Sequence, residues 1–257
     1  MFANQNVRVE LDGMVALVTL DRPPVNALDR ATRYEMIEVF DEISQRDDIR
    51  CAVLTGAGKV FCAGADLKDR PNTDDPGDFL AHNRAIRETG NAIRECDKPV
   101  IAAINGMALG AGMGLMAACD ICYASKEAKF GMPEINVGLA GGAAMMHSLF
   151  GRSTARRMLF TGVRLTAAEL KARNIIEDVT SSEDLISTCM TVAREIAAKA
   201  PLAMKYYKQT SNMVEDMPQR DAYRMEQNFT MMLSKTEDAR EARMAFLEKR
   251  DPVYKGR

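Results

Sequence analysis

Glu134 stands out by its surroundings. It follows Met132-Pro133 in a segment that is otherwise apolar, with Ile135, Val137 and Leu139 close behind. A carboxylate on such a stretch is either a surface residue on a turn or a functional group in an apolar setting. In the second case burial raises its pKa toward a value suited to taking up and returning protons. The other chemical signature is written in small residues. From Lys98 to Asp120 there is no intervening charge, and glycine recurs at Gly106, Gly110, Gly112 and Gly114. A shorter small-residue run, Cys62-Ala63-Gly64-Ala65-Asp66-Leu67, lies upstream. Small side chains let a backbone approach a ligand closely, and the first turn of a helix carries N–H groups without an intrahelical partner. Such donors suit a developing negative charge. For the shorter run, a tight turn with a packing constraint is an equal alternative.

The remaining reactive side chains point elsewhere. His147 sits on a helical pattern beside methionines and reads as a structural residue; His82 lies on a helix that looks exposed. Cys119 and Cys122 form a C-x-x-C, but no second pair accompanies it, so two buried thiols are the better reading. The glycines do not fit G-x-G-x-x-G, and there is no G-K-[ST], which argues against a mononucleotide-phosphate loop. A membrane helix would be long enough in the uncharged run, but the turn dipeptide Asn105-Gly106 divides it.

The elements that must position these groups follow from periodicity. Val7–Leu11 and Val15–Leu20 alternate around Asp12-Gly13, a hairpin signal, and Arg22-Pro23-Pro24 ends the second strand. Asp29 is a good N-cap for an amphipathic helix through Met36, Ile37, Phe40 and Ile43, running to about Arg46. Cys51–Thr55 is a buried strand, so this strand–helix–strand unit predicts a parallel sheet. A charged surface loop, 68–77, leads to a helix over 79–96 that Lys98-Pro99 stops. Val100–Ile104 is a buried strand; after Asn105-Gly106 a glycine-rich turn feeds a buried helix ending near Cys119. Ile121–Ala124 and Lys129–Gly131 read as strands of one wall. Gly141-Gly142 opens a helix that ends at Gly151. Thr166–Glu169 and Ser234–Glu237 have the form of capping boxes. Leu185–Ala198 is amphipathic, Ala200-Pro201 breaks it, and methionine-rich helices follow, their methionines read as core or subunit contacts.

The chain has 257 residues, 47% of them hydrophobic, which supplies a substantial core. A net charge of −2 gives no bulk attraction to nucleic acid or anionic membrane. The N-terminal stretch lacks an apolar h-region, so no signal peptide is expected. Six scattered cysteines fit a reducing compartment, and a cytoplasmic location is expected.

The order of Arg22–Leu28 (RPPVNAL), Cys62–Leu67 (CAGADL), Lys98–Gly112 (KPVIAAINGMALGAG), Cys119–Ile121 and Phe130–Glu134 (FGMPE) resembles the crotonase superfamily, the enoyl-CoA hydratase/isomerase family. The match spans nearly the whole chain. The resemblance implies an α/β fold: a spiral of repeated ββα turns over 1–198, then a C-terminal helical trimerisation region over 199–257. It implies an enzyme, assembled as a homotrimer or as a hexamer of two trimers, with no partner nucleic acid or membrane. The substrate would be an acyl- or enoyl-CoA thioester, coenzyme A entering as part of the substrate and no separate cofactor or metal being required. By motif, the N–H groups of Ala65 and Ala111 would bind the thioester oxygen as it becomes an enolate. Ala27, Leu28, Ala63, Asp66, Leu67, Lys68, Gly110, Gly114, Pro133 and Leu139 would contact substrate or CoA, with Lys68 near a phosphate.

Two departures bear on the reaction. Family hydratases carry a glutamate four residues after Gly110 and a second in the P-E motif; here the first position is Gly114 and the second is Glu134. The following loop, 137–146 (VGLAGGAAMM), is shorter than the family's and lacks its proline. A single carboxylate suffices for moving a double bond, and some family hydratase-lyases on aromatic esters keep only that one. Isomerisation or hydration through Glu134 is therefore expected, with hydratase-lyase, decarboxylase or hydrolase chemistry on a CoA ester as the alternative. A non-catalytic CoA- or RNA-binding relative is the reading of a different class; it would not need Glu134.

Overall fold

The computed structural model describes residues 4–257. Its first strands, β1 (Val7–Asp12) and β2 (Val15–Leu20), form the expected antiparallel hairpin. Asp29 caps α1 (Arg30–Gln45) by accepting from the Thr32 N–H at 2.8 Å, and β3 (Cys51–Gly56) returns parallel to β2. The chain then repeats one pattern. β3 turns into β4 (Val60–Cys62) and α2 (Pro76–Glu95). β5 (Val100–Ile104) turns into β6 (Met107–Leu109) and α3 (Ala111–Ala118). β7 (Ile121–Ser125) turns into β8 (Lys129–Gly131). In each repeat the first strand joins one sheet and the second joins another. The sheets are ordered β1-β2-β3-β5-β7-β10 and β4-β6-β8-β9, with β9 at Arg164–Thr166 and β10 at Asp178–Thr180. This alternation is the spiral of repeated ββα turns that the resemblance implies.

The turns between the sheets are held by two asparagines. Asn105 Nδ2 donates to the carbonyls of Gly56 (2.8 Å) and Gly58 (2.9 Å), and buried Asn26 donates to those of Ala57 (3.0 Å) and Val60 (2.7 Å). The packing is close: a Cβ on Gly106 would overlap the Lys59 carbonyl.

Strands β3 and β5 are buried on both faces, which explains their unbroken apolar runs. Ala52, Leu54 and Ala102 face the main core, shared with Phe40, Phe61 and Phe130. Their neighbours Val53, Ile101 and Ala103 face α7 (Leu185–Ala197) through Leu185, Cys189 and Ala193. Between β8 and α7 come α4 (Ala143–Leu149), α5 (Arg152–Thr161) and α6 (Ala167–Lys171). Thr166 and Glu169 form the capping box of α6.

Three long helices close the chain: α8 (Pro201–Val214), α9 (Gln219–Leu233) and α10 (Glu237–Glu248). The buried Lys208 ties α8 to the core by donating to the Ile93 and Lys98 carbonyls and pairing with Asp120 at 2.9 Å.

Several expectations are corrected. β8 does not extend the wall of β7; it lies in the second sheet, because the short turn between them sends the chain across the core. The glycine-rich turn contains a further strand, β6, too short to leave a period. Ser234 and Glu237 form no capping box; Thr236 caps α10 instead, accepting from the Ala239 N–H at 3.1 Å. The tail methionines Met213, Met231, Met232 and Met244 are exposed, so they are not core of this chain. Among the described residues no helix is long and apolar enough to cross a membrane.

Candidate active site

Three strand ends meet here. The loop after β4 is fixed from both sides: Leu28 N–H donates to the Gly64 carbonyl (2.8 Å) and Asp66 N–H to the Leu28 carbonyl (2.9 Å). Ala65 lies between these bonds, and among the described residues its own amide has no hydrogen-bond partner. Arg22 locks the outer side of the loop, reaching Asp66 (2.7 Å), Asp29 (2.9 Å) and the Ala27 carbonyl (3.0 Å). Ala63 N–H donates to the Val25 carbonyl at 3.1 Å.

The second strand end is β6, which runs through Gly110 into α3. Gly110 has φ +52°, a conformation that a side chain rarely adopts. Ala111 is the first residue of α3, so its N–H has no partner within the helix, and none is found outside it among the described residues. The two loops touch. A Cβ on Gly64 would lie 3.7 Å from the Ala111 nitrogen and 3.0 Å from the Leu109 carbonyl oxygen. The free amides of Ala65 and Ala111 therefore sit on abutting backbone segments.

The third end is β8, parallel to β6 in the register Leu109↔Gly131. Gly110 N–H donates to the Gly131 carbonyl at 2.9 Å, tying the start of α3 to the residues before Glu134. Pro133–Val137 forms a 3-10 turn closed by Gly138, and it aims the Glu134 carboxylate at Gly110: a Cβ on Gly110 would overlap Oε1. Glu134 Oε2 is buried with no hydrogen-bond partner among the described residues. Burial pushes this carboxyl above its ordinary value, and its own backbone N–H offsets the effect only in part. An acid in this state holds a proton readily and releases it to a stronger base.

A cavity of about 390 Å³ opens beside this arrangement, lined by Leu28, Ala111, Gly114, Leu115 and Met145 and by the inner face of α2. Leu28, Gly114 and Ala111 thus line one cavity. Glu134, Pro133 and Leu139 do not line it; Leu139 is exposed, and its N–H donates to the Glu134 carbonyl. Asp66 and Lys68 border a separate open groove with Arg22, Arg30 and Tyr34. Leu67 is exposed beside it. Asp66 is engaged by Arg22 and by the Lys68 N–H (2.9 Å), so its carboxylate shapes the loop.

His147 is exposed on α4. His82 departs from expectation: its Nδ1 is buried without a partner, and burial holds the imidazole below its ordinary value. Cys119 and Cys122 are free thiols whose pKa values burial raises, that of Cys122 to about 12, so neither is a ready thiolate. One residue escaped the sequence reading. Arg33 is 2% exposed and lines the cavity. Its spacing from Met36 and Phe40 on the apolar stripe of α1 was the available signal.

The model of the enoyl-CoA hydratase/isomerase family matches residues 10–257. The chain belongs to this family. Relatives include a carnitinyl-CoA dehydratase of Escherichia coli, 35% identical over 99% of this chain and 100% of that one. Another is the (7aS)-7a-methyl-1,5-dioxo-2,3,5,6,7,7a-hexahydro-1H-indene-carboxyl-CoA hydrolase of Mycobacterium tuberculosis, 35% identical over 92% of this chain and 96% of that one. Among solved structures, the enoyl-CoA hydratase of Bacillus anthracis superposes with a TM-score of 0.92 at 32% identity, covering 98% of this chain and 100% of its own. Family members are enzymes acting on CoA esters, so the family itself leaves dehydration, hydration and hydrolysis all represented.

Proposed function

We propose that the chain binds an enoyl- or acyl-CoA thioester with its carbonyl oxygen between the N–H groups of Ala65 and Ala111, and that Glu134 is its single acid–base group. The observation that carries this reading is the Glu134 carboxylate, orphaned and half-buried, aimed at Gly110 one residue from a free helix-N-terminal amide. In double-bond isomerisation the ionised Glu134 takes a proton from a carbon conjugated with the thioester. The electron pair moves onto the carbonyl oxygen, where the two amides stabilise it, and the same carboxyl returns the proton to another carbon. Removing one such amide typically costs about 3–4 kcal/mol of transition-state stabilisation. In hydration Glu134 takes a proton from water as its oxygen adds to the β-carbon, then protonates the α-carbon. Gly114 supplies no second carboxylate, which favours the reaction that needs one.

Lys68, on the open groove where Asp29 and Asp66 are engaged by Arg22 and Asp69 by the Arg30 N–H, is the cation offered to a phosphate of coenzyme A. Hydrolysis of a CoA ester is the second reading, since one relative is named a hydrolase. The test is a panel of CoA esters followed by mass spectrometry. An unchanged mass with a moved double bond selects isomerisation; a gain of water on the intact ester selects hydration. Release of free CoA selects hydrolysis, and loss of carbon dioxide selects decarboxylation. No change on any ester, with no binding, would defeat the proposal.

A further inference from the structure

Arg33 is a charged side chain in an apolar interior. It is 2% exposed, on the buried face of α1 beside Met36 and Phe40. Among the described residues its guanidinium has no hydrogen bond or ion pair, and Nε is fully enclosed. A buried, unpaired cation is costly, and arginine cannot shed its charge to avoid the cost.

The nearby groups do not balance it. Asp29 is committed to the Thr32 N–H and Arg22, and Asp69 to the Arg30 N–H. Cys62 is neutral, its thiol pushed up to about 11 by burial. His82, neutral or cationic by its chemistry, supplies no counter-charge, and burial holds it below its ordinary value. Burial likewise holds Arg33 down, which Cys62, Asp69 and Asp29 offset only partly.

Arg33 does border open space: the 390 Å³ cavity that also touches Ala111 and Gly114. No Asp or Glu lines that cavity, whereas Arg87 and Arg94 do. Arg94 is paired with Glu215, and Arg87 is exposed, which leaves Arg33 as the enclosed cation. The rest of the wall is largely apolar, through Leu28, Ile86, Leu115 and Met145. A methylene chain ending in an anion matches such a lining.

We propose that Arg33 determines specificity by receiving a carboxylate at the far end of the acyl group, so that the substrate is the mono-CoA ester of a dicarboxylic acid. This rests on the thioester reading above: with the carbonyl at Ala111, the acyl chain enters the cavity that Arg33 lines. A planar guanidinium binds a carboxylate through two parallel N–H bonds, and that pairing supplies the missing counter-charge.

The test compares saturated esters in matched pairs by calorimetry on the full chain: succinyl- against butyryl-CoA, glutaryl- against pentanoyl-CoA, adipyl- against hexanoyl-CoA. In at least one pair the diacid ester binds about tenfold or more tightly, the advantage of a charged hydrogen bond. Arg33→Met and Arg33→Gln abolish that preference while still binding the monoacid esters. If the unaltered protein prefers the monoacid in every pair, or shows no preference, the proposal falls without use of any variant. It falls equally if both variants fold and keep the diacid preference. Binding of all esters without discrimination overturns only the role of Arg33. Binding of none overturns the thioester reading as well.

Discussion

Replacing Glu134 by Gln separates chemistry from architecture. Glutamine has nearly the shape of glutamate, so the contact against Gly110 and the 3-10 turn remain. What disappears is the group that titrates. General acid–base catalysis contributes typically about 10²–10⁴-fold. At 1.36 kcal/mol per decade this is about 2.7–5.4 kcal/mol of barrier. Gly114 offers no substitute carboxylate, so the loss should approach the upper end. The Ala65 and Ala111 amides persist, so the dissociation constant for the ester should stay within about threefold. The same substitution has a stability signature. Burial raises the folded-state pKa of Glu134 above its unfolded value. Its contribution is therefore fully present below the unfolded pKa, about 4.3, and is lost as pH rises through the folded one. Relative to wild type, Glu134→Gln should gain thermal stability at pH 8 and show little difference at pH 4. Steady-state kinetics on the ester identified by the panel, with melting curves at the two pH values, decide it. A variant retaining more than a tenth of wild-type kcat/KM would refute the proton-transfer role. A melting difference equal at both pH values would refute the buried ionisation.

Gly110→Ala places a Cβ into the Glu134 carboxylate and forces a side chain to φ +52°. It should cut kcat by about 10²-fold, the effect of a misplacement near 1 Å, and kinetics alongside ester binding would show a selective loss in kcat. Gly114→Glu meets only the flexible end of Met145, at 3.2 and 3.4 Å, so the new carboxylate can enter the cavity. Crotonyl-CoA hydration should rise, seen as decay of the enoyl-thioester absorbance; no rise would mean the loop after Glu134 also limits the reaction. Lys208→Met leaves the partly exposed Asp120 carboxylate and the Ile93 and Lys98 carbonyls without their buried cation, while Asp120 keeps the Val100 N–H. It should cost about 1–3 kcal/mol, lowering Tm by about 2–12 °C at this chain size; a drop under about 1 °C would contradict the role of this pair.

Local signals carried most of the fold. Asp12-Gly13 marked the hairpin, Asp29 the start of α1, and the two-sided burial of β3 and β5 appeared as unbroken apolar runs. Partnership between strands was less legible. Nothing local in Lys129–Gly131 says that it crosses to the second sheet, since that depends on Gly110 N–H finding the Gly131 carbonyl. The backbone donors at Ala65 and Ala111 were approached through motif and small-residue content, but their abutment is a tertiary fact. Arg33 was hidden for a different reason. A charge on a helix is ordinarily a solvated one, and only the packing of α1 under the cavity makes this one exceptional.

The hydrogen bond from Gly110 to Gly131 has one more implication. It clamps the acid and the helix terminus into a single rigid unit built on β6 and β8, whereas one side of the adjoining cavity comes from α2 and from Arg33 of α1, the other side being α3 and α4. That first side is mounted apart from the clamped unit. A lineage, or an engineer, can exchange residues along α1 and α2 and change what is eaten without disturbing how it is digested.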